Sequence, residues 1–192
     1  IENKTLIFYT NGLLGSRKSQ TYSNFNDFMY NLSYWSSWSN GFNIWKSEFD
    51  KIDKNLKLNK LFPHTSLFLT QHQAKLFCIN DNLLFDVQRI PKRGGHNKFE
   101  AFTIEYPSLL DECCKKGHIS TKCKKHILFG IMVQFLPSLL FNKYIIRIET
   151  FDDTGFRDNL KKYYPSYAYW LVLISVLGVP FRLFCRKLKN KR

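Results

Sequence analysis

Four residues have the right types to hold a metal: Cys114, His118, Cys123 and His126, spaced Cys-x3-His-x4-Cys-x2-His. Two thiolates and two imidazoles make up a tetrahedral zinc shell. The lysines around them, Lys115, Lys116, Lys122, Lys124 and Lys125, are expected to lower the thiol pKa values and favour the metal-binding thiolate. Cys113 offers an alternative ligand. The order is that of a zinc knuckle read backwards. Known zinc spacings are stricter, so ordinary thiols and solvated histidines are the commoner outcome of such a cluster. Zinc is the one cofactor the sequence raises.

Other groups with chemical potential are less organised. Lys92-Arg93-Gly94-Gly95-His96 could cradle a phosphate with amides and cations, but it lacks the Walker order and reads as a surface turn. Asp152-Asp153 has no third carboxylate at metal-site spacing and reads as a solvated turn. His64, His72 and His96 have no catalytic partner in sequence. There is no nucleophile elbow and no HExxH motif, so no catalytic residue is assigned and a non-enzymatic protein is expected.

These residues must be positioned by the elements around them. Leu6 to Tyr9 reads as a strand, followed by an Asn11-Gly12 turn. Apolar residues at Tyr22, Phe25, Phe28, Met29, Leu32 and Trp35, and again at Trp38, Phe42, Trp45, Phe49, Ile52 and Leu56, step by threes and fours. That spacing predicts two amphipathic helices over 22–38 and 43–59, split at Asn40-Gly41. Their apolar stripes face a core, or, with their Trp and Phe, a lipid interface. Runs at 66–70, 74–79, 83–88 and 99–104 read as an antiparallel meander, with a short helix over 108–114 and a further strand over 144–148. The expected fold is α+β and membrane-anchored: two amphipathic helices with a small antiparallel sheet, then a C-terminal transmembrane helix. The expected domains are 1–126, a hydrophobic segment and polar linker over 127–162, and 163–192.

The C-terminal stretch carries the membrane expectation. Tyr163 to Phe181 is nineteen residues without a charge, entered through tyrosines and Trp170 and closed by six basic residues from Arg182 to Arg192. A straight helix of that length covers about 28 Å, close to the ~30 Å hydrocarbon core. The positive-inside rule puts the tail in the cytoplasm or matrix. Ile127 to Phe141 is fifteen uncharged residues, short for a crossing and interrupted by Gln134 and Pro137. It is a core element or a second span. With two spans the hairpin keeps both charge-rich ends on one side; with one, Asn31 of Asn31-Leu32-Ser33 would be open to glycosylation. Cys185 adds a palmitoylation position.

The net charge of +14 suits anionic headgroups or nucleic acid, and 18 Phe, with abundant Lys, Asn and Ile, match an AT-rich coding bias. The odd count of five cysteines argues against a fully paired disulfide framework. The start at Ile1 is expected of a fragment or processed form.

Gly155-Phe156-Arg157, then a Pro- and Tyr-containing entry, then Trp170 followed nine residues later by Pro180-Phe181-Arg182, resembles the C-terminal end of the transmembrane protein 151 family. The resemblance covers about 30 residues, and Leu183 to Arg192 replaces that family's His-rich end. It implies a multi-pass membrane protein of unassigned activity. The functional expectation is a membrane-anchored binding protein whose partners are membrane lipids or other proteins. The alternative is a basic accessory subunit of an organellar or RNA-containing assembly, with nucleic acid as partner.

Overall fold

The computed structural model describes residues 4–39, 41–86 and 97–189, with side chains in the last stretch as far as Cys185. The fold is α+β and divides into two compact units, Ile1–Gln88 with Ser108–Ile127, and Arg89–Pro107 with Leu128–Arg192.

The first unit is built on a three-stranded sheet of β1 (Thr5–Tyr9), β2 (Ser19–Tyr22) and β3 (Leu76–Asn80), in the order β1-β3-β2. The sheet is mixed, not antiparallel as expected: β3 pairs antiparallel with β2 but parallel with β1. A parallel pair needs a long connection, which the helices between β1 and β3 supply. Period-two alternation turns Leu6, Phe8, Phe77 and Ile79 into the core. Helix α1 (Phe25–Leu32) starts at Asn24, whose side chain accepts from the Asp27 amide at 2.8 Å, and buries Phe25, Phe28, Met29 and Leu32 on one face. The rings of Phe8, Phe25, Phe28, Phe68 and Phe77 meet at centroid distances of 5.1 to 6.3 Å. Each such pair contributes about 1 kcal/mol beyond its burial. At Gly41 a Cβ would lie 2.1 Å from the Phe8 ring, so only glycine fits there.

Two expectations fail in this unit for local reasons. The helix expected over 43–59 survives as one turn, α2 (Lys46–Phe49), and Trp45 and Phe49 stay exposed. Asp53 and Asn59 side chains instead accept from the amides of Asn55, Leu61 and Phe62, and so form turns that compete with helix. The strand expected over 66–70 is a helix, α3 (Pro63–Leu69), because Pro63 sits at its first turn, where a missing N–H costs nothing.

The loop after β1 is closed by one buried carboxylate. Asp81, fully buried, accepts from Thr10 Oγ1 at 2.5 Å and the Leu14 amide at 3.0 Å on one oxygen. The other oxygen takes the Ser16 amide (2.8 Å), Ser16 Oγ (3.0 Å) and the Arg17 amide (3.0 Å). Asn11, Gly12, Gly15 and Arg17 take positive φ to aim these groups inward.

Farther along the chain, α4 (Lys98–Glu100) is capped by Asn97, passes through a π-helical turn (Ala101–Glu105) and continues as α5 (Tyr106–Lys115), which belongs to the first unit from Ser108 on. Residues 99–104 are therefore helical rather than a strand. Next, α6 (Thr121–Gly130), a π turn (Ile131–Phe135), α7 (Leu136–Leu140) and a π turn (Phe141–Ile146) form one 26-residue helix. The strand expected over 144–148 is absent because this helix runs to Ile146 and ends at Arg147 in the left-handed region. Then come α8 (Phe156–Leu160), α9 (Ala168–Leu177) and α10 (Val179–Lys189).

Proline accounts for two of the three π turns. Pro107 and Pro137 each stand two residues beyond one, having no N–H to donate and a ring that clashes with the carbonyl four residues back. The wider turn relieves the clash. It also leaves the Phe102 carbonyl, the i−5 partner Pro107 cannot serve, to accept the buried Tyr164 hydroxyl at 2.7 Å. Beside it the Phe102 and Phe135 rings pack at 4.0 Å.

Burial alone would raise the Asp81 pKa, but the bonds from Thr10, Leu14, Arg17 and Ser16 outweigh it and hold the carboxyl below its ordinary value of 3.8. Removing the side chain strands buried donors, so Asp81→Ala should cost about 3 kcal/mol in denaturant unfolding at pH 7. A depressed pKa stabilises above the unfolded value, so the gap between wild type and variant should close as pH falls below about 4.

Candidate functional site

The four sequence-predicted metal ligands take separate environments. Cys114 Sγ lies 3.7 Å from Thr121 Oγ1. His118 stacks on His72 with ring centroids 3.6 Å apart. Cys123 is fully buried, its thiol 3.6 Å from the Asn26 carbonyl, and His126 stacks on Tyr30 at 4.0 Å. Among the described residues, no three His, Cys, Asp or Glu side chains group in a way that could hold a metal. A helix turns Cys114 and Cys113 to different sides, and a Gly117 turn separates them from α6.

Three of the surrounding lysines are engaged by carboxylates. Lys115 and Lys124 both pair with Asp111, at 2.9 and 2.7 Å, and Lys116 with Glu112 at 2.6 Å. Burial, reinforced by the Glu112 charge, pushes the Cys113 thiol up to about 11 despite Lys116. Burial, then His72 and Lys116, lowers the His118 pKa, so its ring is neutral at pH 7. His72, His118, Glu112, Cys113 and Lys116 line a cleft of about 210 Å³. The His72–His118 contact joins residues 46 apart in sequence, which no local spacing signals. The Lys92–His96 loop lies outside the described residues. Asp152 and Asp153 serve local structure: Asp152 caps Thr154, and Asp153 accepts from Lys143 at 2.7 Å and from the Tyr144 hydroxyl.

The other surface singled out by the sequence is apolar. Thr121–Ile146 is long and apolar enough to cross a membrane, but 44% of its most apolar window is buried inside the structure. Ile127, Ile131, Met132, Leu136 and Leu140 all face the protein. The stretch expected as a straight nineteen-residue helix is instead α9 followed by α10, bent by 51°. Gly178 and Pro180 stand at the bend, and Pro180 cannot donate to the Val176 carbonyl. Ala168, Val172 and Val179 pack inward. Trp170, Ile174, Leu177, Phe181 and Phe184 are exposed at steps of four, three, four and three, a stripe that continues across the bend. Sequence reading located this apolar stretch but could not show which face stays uncovered.

No family model, no curated protein and no solved structure matches the chain.

The buried thiols give a direct check of this geometry. A pKa of about 11 leaves roughly one Cys113 in ten thousand as thiolate at pH 7. Maleimide labelling of the native chain, read by peptide mass spectrometry, should therefore modify Cys114 at least tenfold faster than Cys113 or Cys123 (an order-of-magnitude figure), with the difference lost in denaturant.

Proposed function

We propose that this is a membrane-anchored, non-enzymatic protein, held at the bilayer through α9 and α10. Its basic, aromatic remainder meets lipid headgroups or partner proteins there. One observation carries the reading: the exposed stripe from Trp170 to Phe184 leads into a C-terminal stretch with no carboxylate after Asp158 and six cations after Phe181. Apolar surface of this extent is costly in water and is covered in the working protein. Cations beside it favour an anionic surface by about 1 kcal/mol each. The resemblance of residues 155–182 to the transmembrane protein 151 family supports the same reading. The basic tail belongs, on this proposal, to the cytoplasmic or matrix side.

Vesicle flotation of the full chain tests this. It should float with phosphatidylcholine–phosphatidylserine vesicles and stay with them in high salt, because burial rather than charge supplies most of the attachment. Recovery at the bottom of the gradient would overturn the proposal. If that came with RNA binding that collapses as salt rises, the accessory-subunit alternative would replace it.

A further inference from the structure

The membrane reading leaves open how α9 and α10 enter the bilayer, and the bend bears directly on that. We infer that the pair is a wedge seated in one anionic leaflet rather than a bilayer crossing; this rests on the membrane-anchored reading above.

Length argues first. With a 51° bend, α9 and its continuation to Cys185 advance only about 22 Å along the α9 axis, short of the ~30 Å hydrocarbon core. The distribution of exposure argues second. Val179, beside the bend, is 2% exposed, whereas Leu177 is 81% exposed. The pair thus turns a buried side inward and an exposed side outward, on which Leu177 is the most exposed large apolar residue, with Ile174 and Phe181 on either flank. Third, the one helix among the described residues that is long and apolar enough to cross by itself has 44% of its most apolar window buried inside the structure.

Charge selects the occupant. On the described part of the stripe every exposed large side chain is apolar, and the flanking sequence is purely cationic: Arg182 within α10, then five more basic residues to the C-terminus. A second copy of this chain would bring another +14 against it. A leaflet containing phosphatidylserine offers both an apolar interior for Leu177 and its exposed neighbours and anionic headgroups for the cations.

Depth measurement distinguishes the wedge from a crossing. In the full chain, Cys78, Cys114 and Cys185 are replaced by serine, and single cysteines are placed at Ile174, Leu177, Phe181 or Phe184. Each is labelled with an environment-sensitive fluorophore on phosphatidylcholine–phosphatidylserine vesicles carrying nitroxides in the headgroup or deep in the acyl chain. The wedge gives deepest quenching at Leu177, falling on both sides, with Ile174 and Phe184 answering to shallower nitroxides. Depth that changes monotonically from Ile174 to Phe184, passing into the far leaflet, would overturn the wedge while keeping the membrane reading. No lipid quenching at any position would overturn both. In the otherwise native chain, Leu177→Asp should weaken partitioning at least about tenfold; unchanged partitioning of this variant, with its far-ultraviolet dichroism intact, would also remove Leu177 from the contact.

Discussion

A proline within a helix has no proton to donate, and the second unit takes its form from three of them. At Pro107 and Pro137 the helix widens into a π turn, and the two widened segments meet through Phe102 and Phe135. The carbonyl that Pro107 leaves over is taken by Tyr164, which ties the approach to α9 onto the preceding helix. At Pro180 no π turn forms, and the backbone bends instead. The same missing proton thus goes with two π turns that pack together and with one bend.

That angle bears on function because of what lies on each side of it. The inward side is spent on packing by Ala168, Val172 and Val179, and the outward side keeps large apolar groups uncovered. A straight helix of the same sequence would reach farther along its axis than the bent pair. The chemistry suggested by the cysteines and histidines is resolved differently. Cys113 and Cys123 go into the first unit's core, while His118 and His126 stack on rings from distant parts of the chain. Their positions are those of packing groups, and the nearby lysines are engaged by Asp111 and Glu112.

The sequence was legible where the hydrophobic period was unbroken. Phe25, Phe28, Met29 and Leu32 mark α1, and the alternation of Leu6 and Phe8 marks β1, as the structure has them. It misled where a short apolar run fits either period, as at residues 66–70, and where a π turn shifts the helical phase, as at residues 99–104. The parallel pairing of β1 with β3 depends on contacts across some seventy residues, which no local pattern encodes. For the metal cluster, linear spacing does not show the turn at Gly117 that stands between its two halves. For the apolar stretch, composition gave the location, and only the bend and the burial of Val179 gave its outward face.

Gly41 lies in the first unit, and its contact with Phe8 leaves no space for even a methyl group. Mutational tolerance at that position is consequently set by a single steric boundary: any side chain there would have to displace the Phe8 ring or the strand that carries it.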